Sequence, residues 1–200
     1  MQQFSKLKKV DEFKPSKDEV LYSDPHMSIV RYEDWSIIKQ KDFVVCVPYL
    51  IESNQIVLRH EYIPTFKYAD GQEYHLALIG GGREDGETHD TAIIRELEEE
   101  AGIVLREDYE LEPLKPLFLT KANSTKVYPY IIPLTDRDYK EVIAKGDGTK
   151  HEGMAKAVKV DVKYLSSLES SDVITAYILM KVKEYLNLIK YKRVNMTLFL

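Results

Sequence analysis

Four glutamates crowd one short segment, Glu96, Glu98, Glu99 and Glu100, with Arg95 just ahead of them. On an α-helix successive residues rotate by about 100°, so with Arg95 at zero, Glu99, Glu96 and Glu100 fall near 40°, 100° and 140°. Three carboxylates therefore share one face. On the same wheel Ile93, Leu97, Ala101 and Ile94 occupy roughly 160° to 260°, which predicts an apolar stripe bordered by the acidic face. As an isolated helix this arrangement is unfavourable. Like-charged pairs at i,i+3 and i,i+4 cost about 0.2–0.5 kcal/mol each, and acids near a helix C-terminus oppose the macrodipole. Arg95 can neutralise one carboxylate, and a divalent cation is the expected partner for the remainder. Hard oxygen donors with no cysteine beside them select Mg²⁺ or Mn²⁺ over zinc. The competing reading is a solvated acidic face.

Elements must hold these side chains in place. Thr88 is suited to cap the helix, Asp90 lies in its first turn, and Gly102 follows as a stop, which predicts a helix over residues 88–101. Ahead of it a strand over residues 73–79 runs into Gly80-Gly81-Gly82, where a sharp turn is expected. Further upstream, β-branched and apolar clusters predict strands at 27–31, 35–38, 43–51 and 55–58, arranged as an antiparallel meander. Downstream, strands are expected at 116–119, 127–134 and 156–162, with a long amphipathic helix over 171–188. Residues 136–153 are polar and glycine-containing and give no assignment. The apolar tail, residues 196–200, is read as an edge strand or dimer contact.

Two hundred residues with 44% hydrophobic and 30% charged content fit one well-cored domain with at most a small appendage. Fourteen tyrosines and six phenylalanines argue against disorder, because large side chains bury enough apolar surface to offset ordering entropy. No apolar run reaches the roughly 18–20 residues that cross a bilayer, and the first nine residues are polar and basic. A soluble cytoplasmic protein is expected. The single cysteine, Cys46, lies in the apolar run of residues 43–47 and is expected to pack as a small hydrophobe. A net charge of −5 argues against extended nucleic-acid binding but admits a small anion whose charge a metal offsets.

Gly81, five residues, Glu87, seven residues, Arg95-Glu96-Leu97, one residue, Glu99-Glu100, one residue, then Gly102-Ile103 resembles the Nudix box at every defined position. The resemblance implies an α/β fold, an α/β/α sandwich with a mixed central sheet, preceded by an N-terminal antiparallel strand meander. Residues 1–42 would form an N-terminal strand extension and candidate dimer element, and residues 43–200 the hydrolase domain. It further implies that Glu96, Glu99 and Glu100 bind Mg²⁺ or Mn²⁺, that the Gly80 carbonyl adds a ligand, and that Gly81, Glu87 and Arg95 brace the site. The general base would be Glu99, Glu100 or, from a later loop, Glu152.

Within the superfamily the chain resembles the ADP-ribose and nucleoside-diphosphate-sugar pyrophosphatases. It shares with them a strand meander, a strand ending Val57-Leu58-Arg59-His60-Glu61-Tyr62, and a polar loop holding Glu152 beside His151. That group commonly carries Gln, Tyr and Arg where this chain has His60, Glu61 and Tyr62, and Glu-Leu-Pro-Ala-Gly where it has Ala77-Leu78-Ile79-Gly80-Gly81. Arg59 is a candidate phosphate contact, against an ordinary surface arginine. Phe43, Tyr62, Tyr68 and Tyr74 are candidate base-stacking surfaces or core, and His60, His75 and His89 lack metal-site spacing. The implied partners are a small nucleotide-type substrate and a second copy of the chain. The competing functions are a non-catalytic ligand-binding or regulatory Nudix module and an RNA 5′-pyrophosphohydrolase, the latter disfavoured by the acidic balance.

Overall fold

A computed structural model of the chain describes residues 19–146, 155–170 and 172–197, with side chains described as far as residue 188. Its centre is a parallel pair, β4 (Phe43–Leu50) and β10 (Asn123–Leu134), in register from Val127 opposite Phe43 to Leu134 opposite Leu50. All of β4 from Val44 onward is buried, as a near-continuous apolar run requires when both faces of a sheet are covered. On one side β3 (Trp35–Lys39) meets β10 and continues antiparallel into β2 (Ser28–Tyr32) and β1 (Glu19–Ser23). On the other, β4 pairs antiparallel with β5 (Gln55–Tyr62) and β7 (Ile79–Gly82), and β5 pairs with β6 (Tyr74–Ala77) and β12 (Lys156–Asp161). The strand β9 (Leu117–Thr120) joins β10, and a separate two-stranded sheet links β8 (Ile103–Leu105) to β11 (Tyr139–Glu141).

Because side chains alternate across a strand, β4 and β5 each feed two cores. Val44, Cys46, Val57, Ile79 and Tyr130 pack against Ala92, Ile93 and Leu97 of α2 (His89–Ala101). Val45, Val47, Ile56 and Leu58 pack against Ile178, Leu179 and Val182 of α3 (Val173–Thr197). The result is the expected α/β/α sandwich with a mixed sheet. Cys46 is fully buried, and burial with the nearby Glu96 charge pushes its thiol pKa up, so it packs as the hydrophobe its sequence setting indicates. None of the described helices is long and apolar enough to cross a membrane.

Several elements depart from the sequence reading. The expected strand over 73–79 is two strands, β6 and β7, and the glycines do not turn; they lie inside β7, with Gly80 opposite Val45 and Gly81 opposite Val44. A Cβ on Gly80 would stand 2.1 Å from the Val44 carbonyl oxygen, so glycine is required there for close strand approach and for its φ of 151°. The stretch over 136–153 contributes β11, whose three residues are too short to show periodicity. A short helix, α1 (Pro64–Asp70), opens on Pro64 and ends at Gly71 in the left-handed region. Met196 and Thr197 of the apolar tail continue α3 and are not an edge strand, while Leu198 to Leu200 lie outside the described residues.

Replacing Gly80 with alanine is expected to lower stability by about 3 kcal/mol, because the added methyl meets rigid backbone on β4. Urea denaturation measures this, and a loss below about 0.5 kcal/mol would contradict the packing described.

Candidate active site

The acidic helix α2 is fixed at both ends. Thr88 accepts a hydrogen bond from the Thr91 amide, and the Thr91 hydroxyl accepts one from the Thr88 amide, closing a capping box. Gly102 follows at φ 64°, where a Cβ would strike the Val142 carbonyl oxygen. The Tyr130 hydroxyl donates to Asp90 at 2.8 Å and ties the first turn to β10; burial and the Asp90 charge raise its pKa.

The buried residues of α2 are Ala92, Ile93, Glu96, Leu97 and Glu100. On the helical wheel they span roughly 60° to 200°, so Glu96 and Glu100 sit within the buried arc and do not merely border it. Ile94, expected in the apolar stripe, is 40% exposed. The cause lies across the interface. The strand facing these carboxylates is β7, whose glycines leave room that side chains would fill. A Cβ on Gly81 would come within 2.4 Å of Glu96 Oε1, and the Gly80 amide donates to Glu100 Oε2 at 2.8 Å.

Two arginines answer the buried charge. Arg95 donates through Nε and Nη2 to the two oxygens of Glu87, at 2.9 and 3.2 Å. Its Nη1 reaches Glu96 at 2.8 Å and Glu99 at 3.0 Å, and Nη2 also donates to the Gly82 carbonyl at 3.0 Å. These bonds hold the Arg95 pKa above its ordinary value, Glu87 contributing most. The same Arg95 contact, helped by the Glu84 amide at 2.8 Å, holds the Glu87 carboxyl below its ordinary value. Arg83 donates to the Glu87 carbonyl and steadies the loop.

Arg59 comes from β5. It is 5% exposed, so it is no surface arginine, and it ion-pairs with Glu100 and, at 3.3 Å, with Glu61. The sequence marks Glu61 only as a departure from the related group's pattern and gives it no role at the site. The signal was available in strand alternation, which places Val57, Arg59 and Glu61 on the α2 side of the sheet.

The structure thus brings together Gly80, Gly81, Glu87, Arg95, Glu96, Glu99, Glu100 and Arg59 from the sequence reading. Glu152 and His151 lie outside the described residues. The candidate stacking aromatics face other surroundings: Phe43 packs against the α3-side core, Tyr74 stacks with His60 at 5.3 Å, Tyr62 meets Tyr74 edge-on, and Tyr68 is 92% exposed on α1. His75 packs on Phe66 and His89 stacks on Tyr128, neither within the carboxylate cluster.

Among the described residues no three acidic, histidine or cysteine side chains already converge as a cation cage; Glu96 and Glu99 pair with Arg95, and Glu100 with Arg59. The donor chemistry nevertheless fits a divalent ion. Among the described residues five carboxylates, Glu61, Glu87, Glu96, Glu99 and Glu100, ion-pair with two guanidiniums, a set rich in the hard oxygen donors such an ion takes.

The NUDIX domain family model matches residues 41–157 of this chain. A solved structure of an ADP compounds hydrolase superposes with a TM-score of 0.62 at 19% identity, covering 88% of this chain and 95% of that one, a likeness of fold. No curated protein sequence matches. With the family match spanning more than half of the chain and its glutamates gathered at the end of α2, the chain belongs to the NUDIX domain family and is a Nudix pyrophosphohydrolase.

Proposed function

We propose that the chain hydrolyses the pyrophosphate bond of a nucleoside diphosphate linked to a second moiety, of the ADP-ribose or nucleotide-sugar type. The observation that carries this reading is the burial of Glu96 and Glu100 beside Glu99, three carboxylates gathered on the last two turns of α2. The substrate class draws support from the similar fold of an ADP compounds hydrolase. Nudix hydrolases as a class use divalent metals. Here Mg²⁺ or Mn²⁺ would be held by Glu96, Glu99, Glu100 and the carbonyl of Gly80. The chemistry such an ion would supply is screening of the pyrophosphate charge and acidification of water near neutral pH.

The chain's own residues then divide the work. The Glu99 side chain is 32% exposed while that of Glu100 is 4% exposed, so Glu99 is the carboxylate with access to an attacking water and the better-placed proton acceptor. Glu152, on the later loop, is the other proposed base. Glu87, Arg95 and Gly81 brace the loop before α2 against the helix, fixing where Glu96 and Glu99 can point. Released from Glu100, Arg59 would be a cation for a phosphate oxygen. The exposed Val20, Leu21 and Tyr22 of β1 and Trp35 of β3 suit contact with a second copy, in keeping with a homodimer. A cytoplasmic setting fits the single buried thiol.

Incubating the purified protein with Mg²⁺ or Mn²⁺ and a panel of ADP-ribose and nucleotide sugars should release nucleoside monophosphate. Chelation should stop the release, and Glu99→Gln should lower kcat by about 10²- to 10⁴-fold. A panel member that raises the unfolding temperature without being consumed would instead support a binding module.

The brace has a pH signature. Because the folded-state pKa of Glu87 lies below its ordinary value of 4.5, its contribution to stability is fully present above that pH. It is lost as pH falls through the lowered folded value. Glu87→Gln should therefore lower Tm by about 2–6 °C at pH 7, with the gap from the unmodified protein closing in acid below pH 4.5. A gap that stays constant down to pH 3 would show that Arg95 does not hold this carboxylate.

A further inference from the structure

We propose that Arg59 is a built-in stand-in for the cation at Glu100, so that metal uptake exchanges one positive partner for another; this rests on Glu100 being a metal ligand. Both Glu100 oxygens are engaged by the chain itself, Oε1 by the Arg59 guanidinium and Oε2 by the Gly80 amide at 2.8 Å. Glu100 is 7% exposed and Arg59 5% exposed, so neither charge is compensated by bulk water. A buried carboxylate stripped of its partner is strongly destabilising, which makes Arg59 the group that lets Glu100 face the core before a metal arrives.

The same contact makes Arg59 a competitor. A divalent ion at Glu100 and a guanidinium on the same carboxylate repel one another at short range. Glu61 supplies the way out. It stands two residues further along β5 on the same face, its carboxylate 3.3 Å from Arg59 Nε and 27% exposed. Arg59 can give up Glu100 to the metal while Glu61 retains its charge. Arg95 also reaches two of the proposed ligands, Glu96 and Glu99, but its two bonds to Glu87 and its bond to the Gly82 carbonyl anchor it to the loop and to β7, so the exchange is assigned to Arg59. Arg59 is accordingly a positioning residue that acts through Glu100.

The test uses the full chain and Mn²⁺ as probe, comparing the unmodified protein with Arg59→Gln and Arg59→Gln/Glu100→Gln. Unfolding temperatures are measured in EDTA and in Mn²⁺, and Mn²⁺ affinity by titration calorimetry. In EDTA, Arg59→Gln should melt lower, and the double variant should recover most of the loss because glutamine needs no counter-charge. Mn²⁺ should raise the Tm of Arg59→Gln by more than that of the unmodified protein and bind it about tenfold more tightly, the competitor being gone. A double variant as unstable as Arg59→Gln would mark a merely structural arginine and overturn the exchange. Equal or weaker Mn²⁺ binding by Arg59→Gln would overturn it too. Should that variant not fold in EDTA, Arg59→Lys keeps the charge without the planar fork; it should bind Mn²⁺ several-fold more tightly, and unchanged affinity is the overturning result. No Mn²⁺ uptake by the unmodified protein would sink the proposed metal site as well, whereas uptake that Arg59 variants leave unchanged sinks the exchange alone.

Discussion

Two glutamate carboxylates buried between a helix and a sheet set the terms for everything around them. Desolvating a carboxylate costs several kcal/mol unless close partners replace the lost water. Glu96 and Glu100 meet that requirement with different partners, Glu96 with Arg95 of its own helix and Glu100 with Arg59 and the Gly80 amide from the sheet. The glycines of β7 follow from the same constraint. Side chains at Gly80 and Gly81 would collide with the β4 backbone and with the Glu96 carboxylate respectively. The side-chain-free stretch at Gly80 and Gly81 is therefore what allows acidic residues to occupy the buried arc of α2.

The cap residues and the brace serve the same end by removing freedom from α2. A helix whose last turn holds Glu98, Glu99 and Glu100 and no basic residue works against its own dipole, and local propensity alone would let that turn fray. Gly102 and the capping box fix the two ends, while Ile93 and Leu97 dock between the carboxylates and the core of β4 and β10. Arg95 then spans from the helix to Glu87 and to the Gly82 carbonyl, so helix, preceding loop and glycine strand move as one unit. Accurate placement of oxygen donors depends on that rigidity more than on any single bond.

Much of this was legible in the sequence because it is local. The helix boundaries follow from Thr88 and Gly102, and the strands β2 to β4 and β10 from their apolar clusters, each within a few residues of the observed limits. What was not legible depends on chain segments far apart. A helical wheel ranks the faces of α2 by hydrophobicity, and it cannot know that a glycine strand lies opposite and rotates the buried arc onto Glu96 and Glu100. Nor does a run of apolar residues reveal that β10 inserts in parallel between β3 and β4, since the partner is some eighty residues away. The three-residue strands β8 and β11 carry no pattern at all. Arg59 read equally well as surface or site, and only the sheet register buries it.

The register also decides what the departures from the ADP-ribose group's usual residues mean. His60, Glu61 and Tyr62 are consecutive on β5, so they cannot all face the same side. His60 and Tyr62 share a side, both meeting Tyr74, and it is the side of Leu58 and Ile56, which belong to the α3 core. Glu61 alone turns with Arg59 toward α2. Two of the three substitutions therefore act on the far side of the sheet, away from the carboxylates. The third places an additional negative charge against the arginine that holds Glu100. The chemical individuality of this site is then concentrated in one pair on one strand face, where the position of a single guanidinium is contested by two carboxylates of unequal burial.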